Sequence, residues 1–430
     1  MSNYKAIVAK VTETLPIQGA DKIQVAKVLG ETVIVSKDLE VGYVGILFLP
    51  GTQLSEDYCH HNNLYREKEK NLDQTKAGFF ENTRRVRAQP FMKIKSDGYF
   101  APLSSVDYTG FDSSTLKPGD SFEELDGVQV CKKYLNEKAV KEMKAQKNKP
   151  PKKKLAPFFR EHVDTEQFKH NLHKINKGDL ISIQSKRHGT SQRAGYMKIG
   201  LELPKWKQLI NKLYPVFPVE KYDYLVGTRR VLLDTPTKEG FHGSEAYRFE
   251  IANQIFPYLS KGMQVYLEVV GWANGKPIMS PHSTKDLKDK AYTVKYGEQM
   301  IYKYGALEGT CKFHIYRISL TTEDGATVDY TQQQVVQWCK DRGFDPAFDI
   351  VEPFVYDGNQ SALIELVDRL TERPEVLTED YHDPSVISEG VIVRCDCGGL
   401  TPKFFKNKSY AFKVMEGIIS EKEVDIEDVS

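Results

Sequence analysis

The feature that most limits the fold is a break in composition. Between Lys132 and Lys154 there are ten lysines against two glutamates, and the stretch ends Asn148-Lys149-Pro150-Pro151-Lys152-Lys153-Lys154. Adjacent prolines cannot sit inside a continuous helix, since each lacks an amide proton and its ring collides with the preceding turn. Like charges at this density also repel and favour an extended, solvated segment. The chain is therefore read as two folded parts, residues 1–131 and 155–419, joined by a linker over 132–154 that is helical at most before Ala145, with an acidic tail at 420–430 that frays. At 430 residues in all, each part can bury a core of its own.

The first part carries short alternating runs: Ala6 to Val11, Ile23 to Val28, Thr32 to Ser36, Val44 to Leu49 and Tyr99 to Pro102. Turn signals such as Gly19-Ala20-Asp21 and Lys117-Pro118-Gly119-Asp120 separate them, a pattern that predicts a small all-β barrel. Arg84, Arg85 and Arg87, then Lys93 and Lys95, form either a solvated face or a surface that follows phosphates. His60-His61 lacks a third ligand at a usable spacing and is expected to bind no metal. The second part is mixed. A helix is expected to start at Asp164-Thr165-Glu166-Gln167 and another over Leu203 to Leu213, with strands at Leu180 to Gln184, Val265 to Val269, Phe313 to Ile318 and Val391 to Arg394. That composition of elements is an α+β domain rich in antiparallel sheet.

Sixty Lys and Arg against 59 Asp and Glu leave a net charge of +1, which excludes a general polycation. Nucleic-acid contact must therefore come from locally concentrated cations. Cysteines 59, 131, 311, 339, 395 and 397 are scattered, and C-D-C is not a zinc or redox spacing, so six reduced thiols are expected. The first residues hold no long apolar core, and no run approaches the roughly 18 apolar residues of a membrane span. An intracellular protein without a membrane partner is expected, cytoplasmic, with the lysine run also compatible with a nuclear address.

Chemistry concentrates in the second part. Ile181-Ser182-Ile183-Gln184-Ser185-Lys186-Arg187-His188-Gly189-Thr190-Ser191 is a strand that ends in a lysine and runs at once into a polar turn. A nucleophilic amine needs such a rigid, partly desolvated seat beside cations that lower its pKa. Gly189 would let the backbone approach a phosphate, and Thr190 and Ser191 offer hydroxyl donors. Alone, K-x-x-G fits a surface turn better. Behind it follow Thr228-Arg229-Arg230 at a strand end, Glu268 inside the apolar run Val265 to Val270, Tyr316 in Phe313-His314-Ile315-Tyr316-Arg317-Ile318, Glu389 before Gly390-Val391-Ile392-Val393, and Lys406 with Lys408 on one face of an extended segment. Each has an ordinary reading as a core ion pair, core packing or a solvated edge.

Taken in this order, the set resembles the six collinear motifs of the covalent nucleotidyltransferase superfamily of ATP-dependent ligases and mRNA capping enzymes, over about Leu155 to Glu416. The K-x-H-G-T-S wording, through His188 and Thr190, is similar to that of RNA ligases. The N-terminal part, with Ile17-Gln18-Gly19-Ala20-Asp21-Lys22-Ile23, Val41-Gly42 and Ser96-Asp97-Gly98-Tyr99-Phe100-Ala101-Pro102-Leu103, looks like the OB-type domain of Deinococcus-type and Naegleria-type RNA ligases. The resemblance implies an α+β adenylyltransferase domain preceded by an all-β OB-like barrel. Lys186 would take AMP from ATP, pass it to a 5′-phosphate, and a 3′-hydroxyl would then displace it. Lys406 and Lys408 would contact the α-phosphate and lower the pKa of Lys186, with Lys413 a competitor for the second of these positions. Arg229 would grip a phosphate, Tyr316 would stack on adenine, and His188 and Gly189 would frame the nucleotide. Glu389 would hold Mg2+ or Mn2+, with Glu268 on the ribose or on a metal-bound water. The partners implied are RNA ends, including a nicked duplex with RNA at the 3′-hydroxyl side, met by a monomer in RNA repair. Three departures stand out: Ser185 replaces the glutamate of some RNA ligases, Thr228 replaces the usual serine before Arg229, and Arg317 replaces the usual aspartate after Tyr316. A DNA ligase, a capping guanylyltransferase and a non-catalytic RNA-binding protein remain as alternatives.

Overall fold

The computed structural model describes residues 4–91, 94–135, 156–162, 165–236, 239–240, 243–287, 290–372, 386–399 and 401–416. The expected linker helix, the Asp164 cap, Lys93 and the 420–430 tail lie outside these residues.

In the N-terminal part the strands fall where alternation placed them. Glu31–Ser36, Ile23–Val28, Ala6–Pro16, Val44–Phe48 and Tyr99–Pro102 lie side by side in that order, with Ser121–Phe122 against the start of Ala6–Pro16. All the pairings are antiparallel. The long Ala6–Pro16 strand pairs Val44–Phe48 through residues 7–10 and Ile23–Val28 through residues 11–16, with a register shift between Val11 and Glu13. One extra residue there increases the local twist and turns the sheet into a half-barrel. Ile7, Ala9 and Val11 fill one core, while Ala6 and Val8 fill a second, with Tyr58 and Cys59 of the Glu56–His61 helix packed on it. His60 and His61 each turn a ring nitrogen to a backbone carbonyl, of Lys70 and Asp57, at 2.8 Å.

Two large sheets organise the remainder, beside small two-stranded ones at Glu239–Gly240 with Gly243–Ser244 and at His282–Ser283 with Gln299–Met300. A five-stranded sheet runs Glu166–Gln167, Lys403–Lys408, Gly390–Asp396, Leu180–Ser185, Phe354–Val355, with the Gln360–Thr371 helix on its core face. A seven-stranded antiparallel sheet has Leu232–Leu233, Glu220–Thr228, Thr190–Gly200, Met263–Ala273, Cys311–Thr321 and Thr327–Asp329 in line, backed by the helices Ala246–Ile255 and Gln332–Lys340. The chain crosses from one sheet to the other at residues 186–189.

One expected helix is absent. Glu166 and Gln167 form a short parallel pairing with Phe405 and Lys406, and the Phe168 amide donates to the Lys406 carbonyl at 2.9 Å. Local capping chemistry there is overridden by the open edge of the Lys403–Lys408 strand, whose backbone groups need partners. The second expected helix is present as Lys205–Leu213. All six cysteines are free thiols. Among the described residues no helix is long and apolar enough to cross a membrane.

Candidate active site

Register brings the site together. Ser185 pairs with Val391, so the residue after the first strand lies beside the residues before the second, and the Lys186 amide donates to the Gly390 carbonyl at 2.9 Å. The Lys186 Nζ reaches Glu389 Oε1 at 2.6 Å. Gly390 pairs with Lys408 and Ile392 with Lys406, which puts both lysines on the same face. Gly390 is irreplaceable here: its φ is +136°, and a Cβ would stand 2.0 Å from the Asn407 carbonyl oxygen.

The opposite wall comes from the other sheet. Ser191 faces Glu268 across paired strands, and its hydroxyl donates to Glu268 Oε2 at 2.9 Å. Farther along, Tyr266 pairs with Arg317 but Leu267 pairs with Ile315, so Tyr316 is the extra residue of a β-bulge. The bulge breaks the two-residue alternation: Ile315 and Ile318 both enter the core, and Tyr316 turns to the cleft between the sheets.

That cleft has a volume of about 850 Å³ and is lined by Lys186, His188, Gly189, Arg229, Glu268, Tyr316, Lys406 and Lys408, among others. Of the residues picked from sequence, Glu389 is instead buried at its edge, with 1% of its surface accessible. Lys413 is not in the cleft. It sits on the Tyr410–Met415 helix and lines a separate small cavity against the N-terminal sheet, which Lys408 also reaches.

Charge at the site is arranged in opposition. Burial pushes the Glu389 carboxyl upward, but Lys186 and Lys408, the latter at 3.5 Å, outweigh it and hold it below the usual carboxylate range. Burial raises Glu268 to about 7, against the opposing influence of Lys186 and the Ser191 hydroxyl. Burial also drops His188 to about 4, so its imidazole is neutral near pH 7, packed among Tyr302, Phe412 and His282. The crowding of cations acts on Lys406: burial first, then Lys186, Lys408, Arg229 and Lys133, lower it to about 8. Lys186 itself has the Glu389 carboxylate as its counter-ion, at 2.6 Å.

A divalent cation fits one corner. Glu389 Oε2 is buried and makes no hydrogen bond, and it faces His188 Nδ1 at 3.9 Å. Acceptor atoms of His188, Glu389 and Glu416 lie within 4.8 Å of one another. Glu268, expected to share the metal, stands outside this group and is engaged by Ser191. Lys408 forms ion pairs with both Glu389 and Glu416, so a bound cation would compete with its ammonium.

Two more of the residues picked from sequence also have partners within the fold. Gly189 is required by its own sheet, because a Cβ would lie 2.4 Å from the Val269 carbonyl oxygen. The Thr190 hydroxyl accepts from Arg248 at 2.8 Å. Sequence reading missed Arg248 altogether. It is buried, paired to Glu245 at 2.6 Å, and also donates to the Ser191 carbonyl at 3.1 Å, so it pins the segment that follows Lys186. The signal was the Glu245/Arg248 spacing of one helical turn, common enough to pass unnoticed. Arg187 approaches His314 Nδ1 at 3.0 Å and was also missed. Arg317, the departure from the family pattern, is a structural cation bound to both oxygens of buried Asp329.

No protein-family model matches the sequence, and no curated protein sequence matches it. Solved structures of Naegleria gruberi RNA ligase do match in three dimensions. A ligand-free variant gives a TM-score of 0.52 at 17% identity over 96% of this chain and 98% of that one. A variant with AMP and Mn gives 0.51 at 17% identity over 95% and 97%. A third, with ATP and Mn, gives 0.50 at 16% identity over 97% and 99%. At such identity the likeness shows the fold: the chain has an RNA-ligase-like fold along nearly its whole length.

Proposed function

We propose that the protein is an ATP-dependent RNA ligase that works through a covalent AMP adduct on Lys186. The observation that supports this most is the seating of Lys186 at the seam of the two sheets, 2.6 Å from Glu389 and in one cleft with Arg229, Glu268, Tyr316, Lys406 and Lys408.

In the first step Lys186 Nζ, having lost a proton, forms a bond to the α-phosphorus of ATP while the bond to the bridging oxygen breaks and pyrophosphate leaves. The AMP then passes to a terminal 5′-phosphate, returning the amine of Lys186. A 3′-hydroxyl attacks that activated phosphate, AMP departs, and the phosphodiester is made. Lys406, Lys408 and Arg229 bind and orient phosphate oxygens and stabilise charge that develops on them. Tyr316, aimed inward by its bulge, stacks on the base. Glu268 receives the ribose hydroxyls, and Arg248 keeps Thr190 and Ser191 in place. A divalent cation at Glu389 and His188 would neutralise phosphate charge and polarise the reacting phosphoryl group.

Electrophoresis after incubation with α-labelled ATP or GTP, followed by joining assays on RNA and DNA 3′-hydroxyl ends, tests the reading. Covalent label from ATP alone, with RNA ends sealed, is expected. Label from GTP would make the protein a capping-type guanylyltransferase, and equal or better sealing of DNA ends would make it a DNA ligase.

A further inference from the structure

The Lys205–Leu213 helix is built inside out. It lies in the excursion between the Thr190–Gly200 and Glu220–Thr228 strands, at the ends of those strands away from Lys186, and none of its residues is buried. At about 100° per residue, Trp206, Leu209, Ile210 and Leu213 fall within an arc of about 100°. That apolar arc faces solvent: Trp206 is 56% exposed, Leu209 64% and Leu213 74%. Asn211 exchanges hydrogen bonds with the backbone of Phe217 at 2.7 and 2.8 Å, and Trp206 packs edge-on against the Phe217 ring at 5.6 Å, which leaves Leu209 and Leu213 as the unpacked part of the arc. Val216 and Val219, in the segment that follows the helix, are both more than half exposed.

Charge identifies what fits it. From Leu203 to Val219 there are three lysines and no acidic residue. On the same helical projection Lys205 and Lys212 border the apolar arc on one side and Lys207 on the other. Of the acids that flank this segment, Glu220 is paired with Lys198 at 2.9 Å and Asp223 with Lys221 at 2.6 Å, while Glu202 is exposed. A second copy of the chain would bring like charges together. A nucleic acid would satisfy the lysines and offer a base to Trp206, but it would leave Leu209, Ile210 and Leu213 against water. An anionic lipid surface satisfies both parts, with headgroups for the lysines and acyl chains for the leucines, and it needs no complementary groove.

We propose that this helix is an in-plane docking element for anionic lipid bilayers, independent of the chemistry at Lys186. Such an element lies in the interface without crossing it and so needs no membrane-spanning length.

Trp206 reports on the proposal. The other two tryptophans, Trp272 and Trp338, are 7% and 6% exposed. The full chain is mixed with vesicles of phosphatidylcholine alone or with roughly one-third phosphatidylserine. Expected are a shift of tryptophan emission to shorter wavelength and at least roughly tenfold more co-sedimentation on the anionic vesicles at low salt. The shift should vanish in Trp206→Phe. Binding should vanish both in Leu209→Asp with Leu213→Asp and in Lys205→Glu with Lys207→Glu and Lys212→Glu, with AMP labelling unchanged in both. Equal binding to neutral vesicles, or binding that survives both sets of changes, overturns the proposal. So does a dimer that the Asp pair dissolves, or an RNA oligonucleotide that alone shifts Trp206 emission.

Discussion

At the scale of single residues the site stores free energy in charges held where they are disfavoured. Glu268 is the clearest case. Its folded pKa of about 7 lies above the ordinary value of 4.5 because burial penalises the carboxylate. A raised carboxyl binds its proton more tightly in the folded state, so stability is present below pH 4.5 and is lost as pH rises through 7. Glu268→Gln removes that penalty. The variant should gain on the wild type between pH 5 and 8 in thermal melts, by up to about 3 kcal/mol, while losing ligation activity. An unchanged difference across that range would mean the carboxyl is well solvated. The residue types at Lys186, Glu268, Tyr316, Glu389, Lys406 and Lys408 were legible only as an ordered set, since singly each has an ordinary reading. Arg248 was not, since a Glu and an Arg one turn apart on a helix usually form a surface pair.

At the scale of elements, rigidity around the nucleophile comes from how closely strands approach. Gly189→Ala would press a methyl group against the Val269 carbonyl, where the Cβ distance is 2.4 Å. A loss of roughly 1 to 3 kcal/mol in denaturant unfolding is expected, together with a fall in AMP labelling. A variant as stable and active as the wild type would show that the two strands can part without cost. Arg248→Met should leave the fold in place yet slow adenylation, because Thr190 and Ser191 lose the group that fixes them. Slowed labelling with an unchanged KM for ATP is the expected pattern, and a change in KM alone would contradict it. Strand positions could be read from alternation, and the bulge at Tyr316 left a trace in the three-residue spacing of Ile315 and Ile318. Pairing could not be read: that Glu166 and Gln167 join the edge at Phe405 and Lys406 depends on a strand almost 240 residues away in sequence.

At the scale of the whole molecule the N-terminal half-barrel is wired to the strand that carries Lys406 and Lys408. Lys169 is buried between Glu31 of the half-barrel and Asp368 of the Gln360–Thr371 helix, 2.9 Å from each. Burial pulls its pKa down, and the two carboxylates outweigh it and hold it above the ordinary lysine range. Asp368 in turn accepts from Asn407 at 3.0 Å, between the two cleft lysines. Glu31→Gln should cost roughly 1 to 3 kcal/mol, less than breaking a lone buried pair because Asp368 remains. Chemical denaturation measures it, and no loss would show that the half-barrel is held by other contacts. The buried contact between Glu31 and Lys169 was not legible in the sequence, because nothing local in either residue marks them as partners.

The central claim is that Lys186 becomes covalently bonded to AMP. Intact-mass and peptide mass spectrometry of the protein after incubation with ATP and a divalent cation tests it most directly. The mass of one AMP on the peptide containing Lys186, absent from Lys186→Ala, is the predicted result. An adduct that persists in Lys186→Ala, or that maps to another residue, would contradict the account.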